Sequence, residues 1–308
     1  MGGGGGGFFH PGTKPSDLAK AVRDAQDNTD KKQFDTEVAK VIGSLLAACN
    51  DRDTDAVNAH LQGIKKALNK EIDGAVETCF GGSVGKHTYV DGLSDVDALV
   101  LLNGSELEDT MPQEVKDYFL ARLREHLPGT DIEPGTLAVT VTFNDAVIQL
   151  LPAVRAGSGF KIPDANGTDW AAIDPKGFTD ALTEANSAVN GNLVPTIKLA
   201  KSIVSGFPED QQLTGYHVEL LAVRVFRDYD GAKTMKAMLD HFFEQAPNHI
   251  LHRIQDPTGQ SRCVDEYLGA KDSPERRAIA NRMSWVRKRM ENADRAGDIE
   301  KWKEILTP

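Results

Sequence analysis

The chain has 308 residues, 40% hydrophobic but only 6% aromatic, enough for a sizeable and mostly aliphatic core in two packed lobes. Its 35 basic and 46 acidic residues give a formal net charge of −11. That balance argues against a long basic track for tRNA or duplex DNA, because non-specific nucleic-acid binding rests on Lys and Arg displacing counterions.

Three cysteines, Cys49, Cys79 and Cys263, lie far apart without a CxxC pair. They are expected as free thiols in a reducing cytosol, not as a disulfide framework or zinc site. No apolar run approaches the length of a transmembrane helix, and the N-terminus lacks the charged-then-apolar order of a signal peptide. No membrane partner is therefore expected, and a cytoplasmic location is.

Met1 is followed by six glycines, and residues 1–15 read as a flexible Gly-rich tail. Asp17 to Val22, Phe34 to Leu46 and Thr54 to Leu68 then carry apolar residues at helical spacing. Glu71 to Phe80 leads into a Gly-Gly-Ser turn. Val96 to Leu102 reads as a buried strand closed by Asn103-Gly104. Gln113 to Leu127 is a charged amphipathic helix. Leu137 to Phe143 alternates as a strand does, and Val147 to Leu151 is its hairpin partner across Asn144-Asp145. Residues 156–178 are rich in Gly, Pro, Asp and Asn and read as a surface connection. From Asp180 onward the pattern is helical, most clearly over 193–205, 214–228, 232–245 and 274–306. The expected fold is α/β (α+β): a lobe over 16–178 with N-terminal helices and a mixed sheet, and a helical lobe over 179–308. The helix around 54–69 is expected to span the back of both.

The stretch from Phe80 to Leu102 carries the chemistry. Gly81 and Gly82 let backbone N–H groups approach phosphate oxygens, and Ser83 adds a hydroxyl. Ser94 can cap the turn before the strand. Asp95 and Asp97 stand two apart on an extended segment, so both carboxylates project to one face. Two such acids repel unless a divalent cation sits between them, and oxygen-only ligation suits Mg²⁺ or Mn²⁺. A Gly-Ser turn, a polar loop and Ser-Asp-x-Asp opening an apolar strand together say more than any part alone.

This stretch resembles the DNA polymerase beta type of nucleotidyltransferase, and within it the bacterial cyclic-oligonucleotide synthases (CD-NTases), relatives of cyclic GMP-AMP synthase. The resemblance continues through Ile148 to Val154, Val194 to Lys201, Leu213 to Leu221, Asp256 to Ser261 and the Trp285 to Leu306 helix. It implies a two-lobed polymerase-beta-like fold. It also implies an enzyme that joins ribonucleoside triphosphates, ATP among them, into a cyclic di- or trinucleotide in anti-phage signalling, releasing pyrophosphate. The product would act on a separate effector. By the same resemblance Gly82, Ser83 and Lys201 contact the triphosphate, with Lys198 and Lys86 as further candidates. Asp95 and Asp97 hold the metals, and Tyr216 stacks on a base. Without the resemblance, Lys198 and Lys201 read as a solvated helix face and Tyr216 as core.

One departure stands out. The family's third carboxylate falls on Gln149, and an amide neither acts as a base nor neutralises metal charge. Gln149 could serve through its amide oxygen, or Asp145 could stand in as a displaced acid. Two other functions remain open: template-independent addition of nucleotides to RNA, which the acidic charge disfavours, and a nucleotide-binding sensor that has lost catalysis.

Overall fold

A computed structural model describes residues 15–307 except Glu71, Gly92, Ser94, Ala165 and 259–262. Residues 1–14 of the expected tail, the cap expected at Ser94 and the end of the Asp256 to Ser261 segment lie outside the described residues.

The first element, α1 (Pro15–Cys49), is one continuous helix and not two segments. The polar stretch between its two apolar patches is rich in residues that tolerate helix, with neither Gly nor Pro to break it. Its buried Val38 and Ile42 join the core of the helical lobe. Helix α2 (Thr54–Leu68) starts at Asp53, whose carboxylate accepts from the N–H groups of Asp55 and Ala56. Val57, Leu61, Ile64 and Leu68 form one face, and all four enter the core of the sheet lobe. This corrects the expectation that α2 spans both lobes: its apolar stripe is spent on the sheet, and α1 packs on the other lobe.

The sheet has seven strands: β1 (Glu77–Phe80), β2 (Val96–Leu101), β3 (Asp131–Pro134), β4 (Val139–Thr142), β5 (Val147–Ala156), β6 (Gly159–Pro163) and β7 (Trp170–Ile173). Their order is β1-β2-β5-β4-β3, with β6 and β7 continuing from the far end of β5. The β2–β5 pair is parallel and the others are antiparallel. A one-turn helix, α3 (Gly82–Gly85), separates β1 from the loop before β2, and α4 (Pro112–His126) links β2 to β3. Strands β6 and β7 lie within the region expected to be a surface connection. Gly159 and Pro163 mark the ends of β6 in a short ladder, which periodicity does not separate from a loop.

Strand alternation divides the sheet into two faces. Val96, Ala98 and Val100 of β2, with Ile148 and Leu150 of β5, pack under α2 and α4. Leu99, Leu101 and Leu151 point the other way, into a smaller cluster with Ala153 and Ile162. By the same alternation Asp97 and Gln149 belong to this second face, at its polar end.

The helical lobe contains α5 (Lys176–Ala188), α6 (Leu193–Ser205), α7 (Gly215–Val225), α8 (Met235–Ile250), α9 (Pro274–Ala296) and α10 (Ile299–Leu306). Their aliphatic faces, Phe242, Phe243 and Trp302 form the larger core. The single helix expected over 274–306 is two, broken at Gly297, which takes a left-handed conformation with φ of 62°. Among the described residues, no helix is long and apolar enough to cross a membrane.

Candidate active site

The site begins with a backbone exchange between β1 and β2. Gly81 N–H donates to the Asp97 carbonyl at 2.8 Å, which turns the chain over the start of β2. Gly82 follows with φ of 47°, and a Cβ there would stand 1.6 Å from Asp97 Oδ2. Only glycine fits, for space as well as for conformation. The absence of a side chain lets the Ser83 N–H reach the Asp97 carboxylate. The Gly-Ser turn and Asp97 thus form one unit, with the backbone donor already aimed at an anion.

Asp95 is exposed and Asp97 half-buried. Burial pushes the Asp97 carboxyl above the usual aspartate range, against the Ser83 N–H and the Lys86 charge, while Asp95 and Glu219 push it further up. The parallel register sets Gln149 beside Asp97, and Gln149 Nε2 donates to Asp95 Oδ2 at 2.8 Å. The structure therefore joins Asp95, Asp97 and Gln149 at one edge. Turning the amide over would present its oxygen toward the same place. Asp145 is elsewhere: it lies in the β4–β5 turn, bonded to His60 of α2 at 2.8 Å. It precedes Gln149 by four positions, outside β5, which begins at Val147. Among the described residues, no three His, Cys, Asp or Glu side chains cluster as metal donors. The oxygen donors at this edge are two carboxylates and one amide.

The lysines divide. Lys198 points away from the edge, with Nζ on Asn50 Oδ1 at 2.5 Å and over the Tyr89 ring at 4.2 Å. Lys201 faces the Gly-Ser loop. Its Nζ donates to Glu219 Oε1 at 2.7 Å and to the Thr88 carbonyl at 2.9 Å. Lys86, from the loop after α3, reaches the second oxygen of the same Glu219. Burial alone would raise the Glu219 carboxyl, but the charges and hydrogen bonds of Lys201 and Lys86 outweigh it and hold it below the ordinary glutamate value. Burial lowers the Lys201 ammonium, with Glu219 opposing it.

Tyr216 sits at the start of α7, just after the Thr214 cap. Its hydroxyl donates to Asp256 at 3.0 Å, and Phe178 meets its ring edge-on with centroids 5.2 Å apart. Burial, then the Asp256 charge, pushes its phenol well above the usual tyrosine value. Lys86 Nζ lies 4.8 Å from the Tyr216 centroid and 5.1 Å from that of Phe178. From Asp97 through Lys86 to Tyr216 the side chains run acid, cation, aromatic.

Sequence reasoning named Gly82, Ser83, Lys86, Asp95, Asp97, Gln149, Lys201 and Tyr216 in this region but not Glu219, Thr88 or Phe178. A signal for Glu219 was present: it is the one acid in the run from Val218 to Ala222, where all its neighbours are apolar.

Known proteins are similar to this chain in sequence and in fold. The Second Messenger Oligonucleotide or Dinucleotide Synthetase domain matches residues 15–186, more than half of the chain. The chain belongs to that family of nucleotidyltransferases. A protein of Bacillus cereus (strain VD146) described as a probable cyclic nucleotide synthase is 23% identical over 198 residues, covering 62% of this chain. The chain spans 56% of the length of that relative. Among solved structures, CdnC of E. coli MS115-1 with ATP aligns with a TM-score of 0.66 at 15% identity, over 87% of this chain and 97% of that one. The CD-NTase CdnG of Bradyrhizobium diazoefficiens with GTP gives 0.64 at 12% identity, over 87% and 98%. The DncV cyclic AMP-GMP synthase of Vibrio cholerae with a linear intermediate gives 0.61 at 11% identity, over 94% and 90%. The expected likeness to CD-NTases holds for family and fold, and the fold is the two-lobed polymerase-beta type.

Proposed function

We propose that the chain joins nucleoside triphosphates, ATP among them, into a cyclic di- or trinucleotide with release of pyrophosphate. The observation that carries this reading is the folding of the Gly82-Ser83 turn onto Asp97, on the face that also holds Asp95, Gln149, Lys86 and Tyr216. A triphosphate laid along that face would find backbone donors and the Lys86 ammonium at its phosphates and the Tyr216 ring at its base. Two acids on one strand edge, with Asp97 held up by burial and by Asp95, make a site short of positive charge, and its donors are all oxygen. That fits Mg²⁺ or Mn²⁺ on Asp95 and Asp97, with the Gln149 amide oxygen as a neutral third donor. Such an ion supplies Lewis acidity to the attacking ribose hydroxyl and the leaving pyrophosphate. The chain's own residues orient the triphosphate and keep its charge matched, so positioning and electrostatics carry most of the rate. The product would act as a messenger to a separate effector in anti-phage defence, in the cytoplasm.

Products from a mixture of all four ribonucleoside triphosphates with Mg²⁺ or Mn²⁺, read by mass spectrometry, test this. A cyclic product lost in Asp95→Asn with Asp97→Asn supports it. Gln149 favours one other reading, a nucleotide-binding sensor without catalysis; nucleotide binding without pyrophosphate release under any nucleotide mixture would establish that instead.

A further inference from the structure

Lys86 and Lys201 share Glu219 but stand differently toward the cleft. The side chain of Lys201 is 4% exposed and that of Glu219 1%. Both are enclosed with Thr88, whose hydroxyl also donates to Glu219 Oε1 at 2.5 Å. Lys201 cannot leave this enclosure without giving up both of its own acceptors, Glu219 Oε1 and the Thr88 carbonyl. The side chain of Lys86 is 16% exposed. It enters from the Gly-Ser loop, its charge acts on Asp97, and its ammonium lies near two aromatic rings, half-buried Tyr216 and buried Phe178. A lysine head on a flexible four-carbon stem can exchange one anion for another by rotation. When it departs, Glu219 keeps the Lys201 ammonium and the Thr88 hydroxyl.

We propose that Glu219 is a positioning residue that holds Lys86 poised between the Asp95–Asp97 edge and the Tyr216 ring, and that Lys86 exchanges Glu219 for the phosphate oxygens of an incoming nucleoside triphosphate. Lys201 stays behind as the buried counter-ion that makes the exchange affordable. This rests on the reading of the cleft as a nucleoside triphosphate site, and it moves the phosphate contact from Lys201 to Lys86. No bond is made or broken in the exchange, only an ion pair.

The consequence is a pair of effects with opposite signs. Lys86→Met removes the phosphate contact and weakens binding. Glu219→Gln removes the competing anion and one negative charge from the site, so binding tightens, while the unguided Lys86 slows turnover. Were Glu219 only a strut between lobes, both substitutions would weaken binding.

The test is calorimetric titration of a non-hydrolysable ATP analogue into the parent and the variants, with pyrophosphate release measured beside it. Lys86→Met is expected to raise Kd about tenfold and Glu219→Gln to lower it about threefold or more. Glu219→Gln leaves Lys201 buried without its anion. The double variant Lys201→Met with Glu219→Gln removes both charges together, and it must bind more tightly than Lys201→Met alone. Equal or weaker binding on removing Glu219 in both backgrounds, or parental binding by Lys86→Met, overturns the exchange. A parent that binds the analogue and turns over nucleotides while the signs fail leaves the synthase reading standing. A parent that binds no analogue sinks that reading and the exchange with it.

Discussion

Gln149 stands beside Asp97 in the parallel β2–β5 register and gives its amide hydrogen to Asp95 Oδ2 at 2.8 Å. One neutral side chain therefore touches the site where the family's third acid is expected. It tempers the repulsion between Asp95 and Asp97, and it occupies an oxygen a cation needs. Gln149→Asp supplies the missing charge, so half-maximal turnover is expected at a Mg²⁺ concentration about fivefold or more lower, fivefold being the worth of one unit-charge contact at about 4 Å fully screened by water. Gln149→Ala is expected to lower turnover. Titration of Mg²⁺ against pyrophosphate release reads both, and an alanine variant as active as the parent removes Gln149 from the mechanism.

Replacing Asp95 and Asp97 by asparagine keeps shape and removes charge. Turnover is expected to vanish. The melting temperature should stay within about 2 °C of the parent, because neither carboxylate is tied into a buried ion pair. Thermal melts and product assays on the same preparation check this, and a double variant with parental activity defeats the metal assignment.

Gly82→Ala meets two obstacles. Its φ of 47° costs a non-glycine residue about 1–2 kcal/mol, and its Cβ collides with Asp97 Oδ2. The collision must push Asp97 off the Ser83 N–H, so activity is expected to fall far more than stability does. Gly297→Ala, with φ of 62° and nothing within 4 Å of the added Cβ, isolates the conformational cost alone. Equal activity loss in the two variants would remove Gly82 from the site.

The Glu219 carboxyl is held below its ordinary value, facing Lys86 and Lys201 with Thr88 beside them. Its contribution to stability is thus present above the unfolded glutamate value, about 4.3, and is lost as pH falls through the folded one. Glu219→Ala breaks a buried ion pair and is expected to cost about 3–5 kcal/mol at neutral pH. The deficit should hold from pH 7 to about 5 and shrink below about 4. Denaturant unfolding across that range measures it, and a deficit that grows in acid contradicts the assignment.

Much of the sheet lobe was legible because its signals are local. Alternation in Val139 to Thr142 and the apolar run from Val96 fixed two strands, and Gly81-Gly82-Ser83 with Asp95 and Asp97 marked one edge. Strands β6 and β7 were not legible, since four or five residues set among Gly, Pro, Asp and Asn read equally as loop. The length of α1 was hidden because the polar run from Arg23 to Gln33 has no apolar face to give a period. Lys198 and Lys201, three apart on α6, look alike in sequence, yet one turns to Asn50 and the other to Glu219.

By itself the sequence determined which chemistry is available: a Gly-Gly-Ser turn, two acids at a spacing that puts them on one face, and a glutamine where a third acid is expected. Those follow from backbone geometry within a few residues. Tertiary structure alone decided which charges meet. Glu219 lies 133 residues from Lys86 and 131 from Thr88, and burial makes their pairing obligatory because a lone carboxylate is too costly to hide.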